Sequence, residues 1–211
     1  MKNNFNPGEQ IIAQNKERLS RLYKLIKRGV KIIDPLTTYI ADGVTIGKGT
    51  TINPLTVIET DVKIGKNCQI GPFARIRKGT RVKDEVIVGN FVELNRSTIS
   101  KGSKVKHLTY LGDTMVEERV NIGAGTIIAN YDGKQKHKTT IKKGAFIGSG
   151  SILVAPLKIG KGAITGAGAV VTKNKNVPDN AVVVGVPARI LKSRDSNQKS
   201  KLTSAEGRNN E

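Results

Sequence analysis

Two histidines, one cysteine and a cluster of lysines are the side chains of this 211-residue sequence most able to do chemistry. Imidazole titrates near neutral pH, so His107 and His137 are candidates for removing a proton from a substrate. On spacing alone, His107 reads equally well as a general base and as a structural or surface residue. His137 lies in a polar stretch and reads as a solvated loop residue. One thiol, Cys68, excludes an intrachain disulfide framework and any multi-cysteine zinc or iron–sulfur centre. No serine sits in a nucleophile elbow, so chemistry at this chain is expected to proceed by direct attack of one substrate on another. The lysines between 134 and 143 are equally readable as a solvated charged loop or as ligands for an anion.

The formal charge of +19 raises the question of a polyanionic partner. The excess is +6 over residues 1–33, +10 over 34–188 and +3 over 189–211. It is not gathered into an arginine-rich block, and no zinc-finger spacing or aromatic RNA-binding signature accompanies it. A generally lysine-rich surface, or an enzyme drawing in an anionic substrate, accounts for this spread better than nucleic acid. No apolar run approaches a membrane span and the start has no signal-peptide character, so a soluble cytoplasmic chain without a membrane partner is expected.

The elements that must position these residues follow a six-residue period. Beginning at Ile40, every sixth residue through Leu94 is Ile, Val or Leu. A second series, four residues later, is small or β-branched: Val44, Thr50, Thr56, Val62, Cys68, Ala74, Thr80, Val86, Val92 and Thr98. A period of six fits neither an α-helix nor plain strand alternation; it fits a short strand and a corner, repeated. Three such sides make an 18-residue coil, and stacked coils make a parallel β-helix, an all-β solenoid. Its thin column needs few aromatic residues, in keeping with an aromatic content of 4%. Cys68 then fills a small corner slot and is structural. The phase slips by one near Ile99 and again before Val116. It is interrupted by a polar segment, Asn130 to Lys138, that must be extruded as a loop (129–139), and it returns from Ile141 to Val171. Ahead of the solenoid (34–191), residues 1–33 carry an amphipathic helix over Glu9 to Arg28, its stripe formed by Ile12, Leu19, Leu22 and Ile26. Residues 192–211 lack periodicity and read as a disordered basic tail. A γ-class carbonic anhydrase would share this scaffold, but it needs three histidine ligands where this chain has two histidines.

Several segments carry more than the repeat: GPFARIRKGT (71–80), VGNFVEL (88–94), KGSKVKHLTYLGD (101–113), VNIGAGTIIANYDGKQKHKT (120–139) and IGSGSILVAP (147–156). Over about residues 20–172 the chain resembles the acetyltransferase domain of the bifunctional N-acetylglucosamine-1-phosphate uridylyltransferase/glucosamine-1-phosphate N-acetyltransferases. The resemblance implies a left-handed β-helix, a homotrimer with active sites between subunits, and acetyl-CoA as co-substrate with no metal needed for acetyl transfer. It implies no uridylyl transfer, because the family's nucleotidyltransferase signature is absent. By the same resemblance His107 is the general base and Glu93 the carboxylate that orients it. Arg77 binds the sugar phosphate, and Tyr110, Asn121, Asn130, Tyr131 and Lys136 occupy sugar and loop positions. Ala124, Ser149 and Ala167 match the acetyl-CoA contacts, with the Ala124 amide placed to stabilise an oxyanion.

Two departures stand out. The family's second phosphate-binding cation, a lysine, is replaced by Asn95. Arg96 is adjacent, but neighbours on a strand point to opposite sides. The family's coenzyme A-binding arginine aligns with Gly185, and GVPARIL (185–191) instead resembles the C-terminal signature of other hexapeptide acyltransferases, in which Arg189 would meet a coenzyme A phosphate. Three readings stay open: an N-acetyltransferase acting on glucosamine-1-phosphate, an acyltransferase of the same fold acting on another sugar or nucleotide-sugar, and a non-catalytic trimeric scaffold.

Overall fold

In the computed structural model, which describes residues 7–193, most hexads are two-residue strands joined by tight corners. The second residue of each pair turns inward: Ile52, Ile58, Ile70, Ile76, Val88, Leu94, Ile99, Val105, Leu111 and Val116 are at most 1% exposed. Burying each such side chain stabilises the fold by roughly 1.5–3 kcal/mol, and no other core exists to supply it. Strands one coil apart pair in parallel, Ile52 with Ile70 and Ile70 with Val88, at a step of 18 residues. From Val88 to Val105 to Ile122 the step shortens to 17, which is how the two phase slips are absorbed. At the first slip the corner slot falls to Ser97, buried, and not to Thr98, which sits half-buried in a strand. Hydroxyls in these slots bond to the backbone of the next coil, as Thr50 Oγ1 does to Gly65 O (2.8 Å) and Ser103 Oγ to Glu117 O (2.7 Å). Cys68 occupies its slot as expected, its Sγ 3.0 Å from the Lys83 carbonyl, and burial pushes the thiol pKa up.

Two strands are long. Ile87–Asn95 and Lys104–Gly112 each run nine residues and turn a corner in mid-strand, at Phe91 (φ 54°) and Leu108 (φ 48°). They pair along their whole length and join two of the three faces into one continuous sheet.

The helix spans Pro7–Lys27 and ends at Gly29, whose φ of 87° suits glycine. Of the expected stripe only Leu22 docks. Leu22 and Leu25 are buried with Arg18, whereas Ile12, Leu19 and Ile26 stay exposed. The first coil has no coil beneath it to receive its carbonyls. Arg18 serves instead: Nη1 donates to Pro35 O and Thr38 O, both at 2.8 Å, and the guanidinium lies 4.7 Å from the centre of the Tyr39 ring. At the other end the strand Ala181–Val184 pairs antiparallel with Arg189–Ser193, closing the column with a returning strand. The expected disordered tail falls almost wholly beyond residue 193, outside the described residues.

The extruded loop is ordered by one carboxylate. Asp132 accepts from the N–H groups of Lys134 (3.0 Å) and Gln135 (2.9 Å), and its Oδ2 lies 2.6 Å from His137 Nε2. Tyr131 and Lys136 form a bridge across the loop, and His137 N–H donates to Asn130 O at 2.7 Å. His137 is therefore a tether and not a freely solvated residue.

Two outcomes follow from these ends and loops. Arg18→Met, which keeps the arm and removes the donors, is expected to cost about 2–4 kcal/mol in urea unfolding, because two carbonyls lose a charged partner. Amide exchange should accelerate most over residues 31–48, next to the plug. The Gln135 N–H, the His137 ring and the Lys134 N–H, in that order, hold the Asp132 carboxyl far below its ordinary value. A depressed pKa gives a contribution present above the ordinary carboxylate range and lost only in strong acid. Tryptic cleavage at Lys134, Lys136 and Lys138 should therefore be slow in the wild type and fast in Asp132→Ala at every pH trypsin tolerates.

Candidate active site

The candidate residues fall on two adjoining faces that meet at the corner carrying Phe91 and Leu108. The position just before this corner forms a column up the solenoid. Asn90 and His107 are register partners. Backbone bonds from Gly125 N to His107 O, Gly150 N to Ala124 O and Gly168 N to Ser149 O then stack Ala124, Ser149 and Ala167 above them. The three residues matched to acetyl-CoA contacts thus lie in successive coils directly over the imidazole. Among the described residues the N–H groups of Ala124, Ser149 and Ala167 donate to no protein acceptor, which leaves a row of donors along the column. Arg189 pairs with Val184 from the returning strand above it, five strand steps above that of His107, about 24 Å away at ~4.8 Å per step.

The corner itself changes character at this level. Below, it carries Leu55, Phe73, Phe91 and Leu108; above, Gly125, Gly150 and Gly168. All seven have φ between 48° and 71°. Since leucine and phenylalanine adopt this conformation lower in the column, the backbone does not by itself demand glycine higher up. What glycine changes is clearance: a Cβ on Gly168 would meet nothing within 4 Å, so the upper corner is an open strip.

His107 is exposed, and its Nδ1 lies 2.7 Å from Asn90 Oδ1. An amide oxygen only accepts, so Nδ1 carries the proton and Nε2 presents its lone pair. The expected orienting carboxylate is elsewhere. Glu93 lies beyond the corner, three residues from Asn90, and its Oε1 accepts from Arg77 Nη1 at 2.9 Å. The corner at Phe91 turns Glu93 onto the next face, so within one chain the partner of the imidazole is Asn90. Asn90 was recoverable in principle, because the 17-residue coil puts it one step below His107.

The second face gathers the anion-binding candidates. Asn95 follows Glu93 and Leu94 in the strand and stands one coil above Arg77, whose N–H donates to Leu94 O. Arg77, Asn95 and Arg96 line an open cleft of about 420 Å³ together with Glu59, Asp61, Lys78 and Gly79. Tyr110 pairs in register with Glu93. Asn130 is buried, and its Nδ2 donates to Asp113 Oδ2 at 2.6 Å. Lys136, on the loop, is near enough to help hold the Asp113 carboxyl below its usual range, after the larger effects of Arg96 and Asn130. Tyr131 is exposed, with its hydroxyl on Gly133 O. Asn121 stands apart from this cluster, on the His107 face and in register with Lys104 and Phe146. Asp113 escaped sequence reasoning, although it closes the HLTYLGD string. Among the described residues no three His, Cys, Asp or Glu side chains are grouped to hold a metal.

The bacterial transferase hexapeptide family (six repeats) matches residues 61–96 and 138–173. The chain is 43% identical over 208 residues to the bifunctional protein GlmU of Thermotoga petrophila, covering 83% of this chain and 46% of that protein. With the GlmU of Nitratidesulfovibrio vulgaris it shares 56% identity over 93 residues, 44% of this chain and 20% of that protein. The chain thus spans about half the length of the first of these relatives. In fold it is similar to the UDP-N-acetylglucosamine acyltransferase of Francisella novicida, at a TM-score of 0.55 and 14% identity, covering 77% of this chain and 70% of that one. The chain thus carries the repeats of the bacterial transferase hexapeptide family and is similar to GlmU over about half of that protein's length.

Proposed function

We propose that this acyltransferase moves the acetyl group of acetyl-CoA to the amine of an amino-sugar phosphate, glucosamine-1-phosphate in the first place. The observation that carries this reading is the column in which His107 ends a glycine-edged strip of free N–H donors, beside a cleft lined by Arg77. His107 Nε2 takes the amine proton as nitrogen bonds to the thioester carbonyl carbon. The Ala124 N–H supports the developing oxyanion. The C–S bond then breaks, and the proton passes from the imidazolium to the departing thiolate. Asn90 keeps the imidazole in the required tautomer, and Arg77 grips the phosphate. Ser149 and Ala167 border the pantetheine arm, and Arg189 lies where the coenzyme's phosphates would end. Acetyl transfer needs no metal here, and dependence on acetyl-CoA places the protein in the cytoplasm.

The assembly is a homotrimer with sites between subunits. Leu55, Phe73, Phe91 and Leu108 support this. They form an apolar ladder whose members are 46–61% exposed, with Phe73 and Phe91 stacked at 5.0 Å. Bulky residues in left-handed backbone cost roughly 1–2 kcal/mol each, and their exposure to water adds to that. A second copy of the chain seated on the ladder accounts for both, and it closes over His107, which adjoins Leu108. Asn95, standing where related enzymes carry a lysine, favours a second reading in which the acceptor is another sugar or a nucleotide-sugar.

Thiol release from acetyl-CoA, measured with glucosamine-1-phosphate, glucosamine-6-phosphate, glucosamine and UDP-amino sugars, separates these readings. We expect the highest kcat/KM with glucosamine-1-phosphate and a 10²–10⁴-fold fall in kcat for His107→Ala. Preference for an unphosphorylated or nucleotide-linked amine would select the second reading, and no turnover with any acceptor would leave a scaffold. Light scattering on Phe73→Glu/Phe91→Glu should show monomers where the wild type is trimeric; an intact trimer in the variant would refute the ladder's role.

A further inference from the structure

Arg96 is the cation that sequence reasoning set aside, and the structure returns it to the cleft. The strand ends at Asn95, and Arg96 enters the corner at φ 48°, so the alternation that would point it away no longer applies. Its arm packs over Gly79, where an added Cβ would come within 3.4 Å of Arg96 Cγ. The guanidinium reaches Asn95 Oδ1 with Nη1 at 3.0 Å. Nε and Nη2 go to the two oxygens of Asp113 at 2.6 and 2.7 Å. These contacts use three of the five N–H groups of a guanidinium. One hydrogen each on Nη1 and Nη2 is left, in a cleft that also holds Arg77.

Arg77 is itself only partly committed: Nη1 donates to Glu93, and its buried Nε makes no hydrogen bond, with Glu59 Oε1 3.8 Å away. Two half-used guanidinium groups therefore border the cleft beside Asn95. Resting on the function proposed above, we infer that Arg96 is the second cation on the acceptor's phosphate and a determinant of specificity for phosphorylated amino sugars. Asn95 orients it through the Nη1 contact. Asp113 fixes the plane of the guanidinium and ties it through Asn130 to the loop that carries Lys136. A rigid fork held this way presents its remaining donors at little entropic cost.

The test uses the full-length protein and Arg96→Gln, which keeps an extended polar arm without the charge. KM for glucosamine-1-phosphate should rise tenfold or more in the variant, while KM for acetyl-CoA and the rate with unphosphorylated glucosamine stay within twofold. Asn95→Lys added to Arg96→Gln should recover most of the lost affinity, because the ammonium then occupies the same cleft. An unchanged KM for glucosamine-1-phosphate, or equal losses with phosphorylated and unphosphorylated acceptors, would overturn the assignment. Inorganic phosphate binding, followed by ³¹P line broadening, gives a readout that does not depend on turnover. If the wild type acetylates none of the acceptors, the proposed reaction fails, yet weaker phosphate binding in Arg96→Gln would still uphold the anion site. Equal binding by both proteins, or none by the wild type, would remove it.

Discussion

Everything on the outside of this molecule is placed by the stacking of aliphatic side chains inside it. Ile70, Val88, Val105 and Ile122 sit one above another through parallel pairing, and each coil can bury its residues only in register with the one below. A shift of one residue would send the inward set outward and cost the whole core. Outward side chains therefore inherit a lattice with a rise of about 4.8 Å per coil and three faces around the axis. His107, Ala124, Ser149 and Ala167 line up because their inward neighbours do; no contact among those four side chains is required.

The lattice also explains why the candidate site straddles a corner. The transfer proposed above would bring together two dissimilar molecules, one long and thin, the other compact and anionic. The face of His107 offers a strip with free N–H groups, and the face of Arg77 offers an open cleft with guanidinium groups. The nine-residue strands Ile87–Asn95 and Lys104–Gly112 run through both faces without a break. They hold the His107 imidazole and the Tyr110 side chain at a fixed offset of three residues across the bend. Flexible loops would give up that precision, and here only Asn130, Tyr131 and Lys136 come from a loop, itself fastened by Asp132.

How much of this was legible in the sequence depends on periodicity. The core, the extruded segment and the corner role of Cys68 follow from a period of six and are present in the structure. Features that break the pattern were not legible. Arg18 reads as part of a basic solvated helix face because arginine is seldom buried; only the orphaned carbonyls of the first coil make it a core residue. Thr98 was misplaced by one position because the slip begins before it. Glu93 was paired with His107 by resemblance, although a corner at Phe91 divides them. Arg96 was judged by strand alternation one residue past the end of the strand. In each case the competing physics is local backbone geometry, φ near +50° at a residue that is not glycine, which a residue type does not announce.

The same lattice gives a reading of the charge. Among the described residues eight ion pairs join residues one coil apart: Glu59 with Arg75 and with Arg77, Asp61 with Arg81, Glu85 with Lys101, Glu93 with Arg77, Asp113 with Arg96, Glu117 with Lys142 and Glu118 with Lys143. Exposed pairs of this kind contribute little stability, about 0–1 kcal/mol each, so their value is positional. Most of them involve surface arms that touch no candidate residue. Those of Arg77 and Arg96 differ, since both border one cleft and both guanidinium groups keep donors unspent. Glu93 and Asp113 hold the two planes without filling their hydrogen-bonding capacity. A polyanion would need the excess cations spread along a contiguous track; the cleft beside Arg77 and Arg96 suits instead the single compact anion proposed above, set within a surface whose remaining positive charge is dispersed.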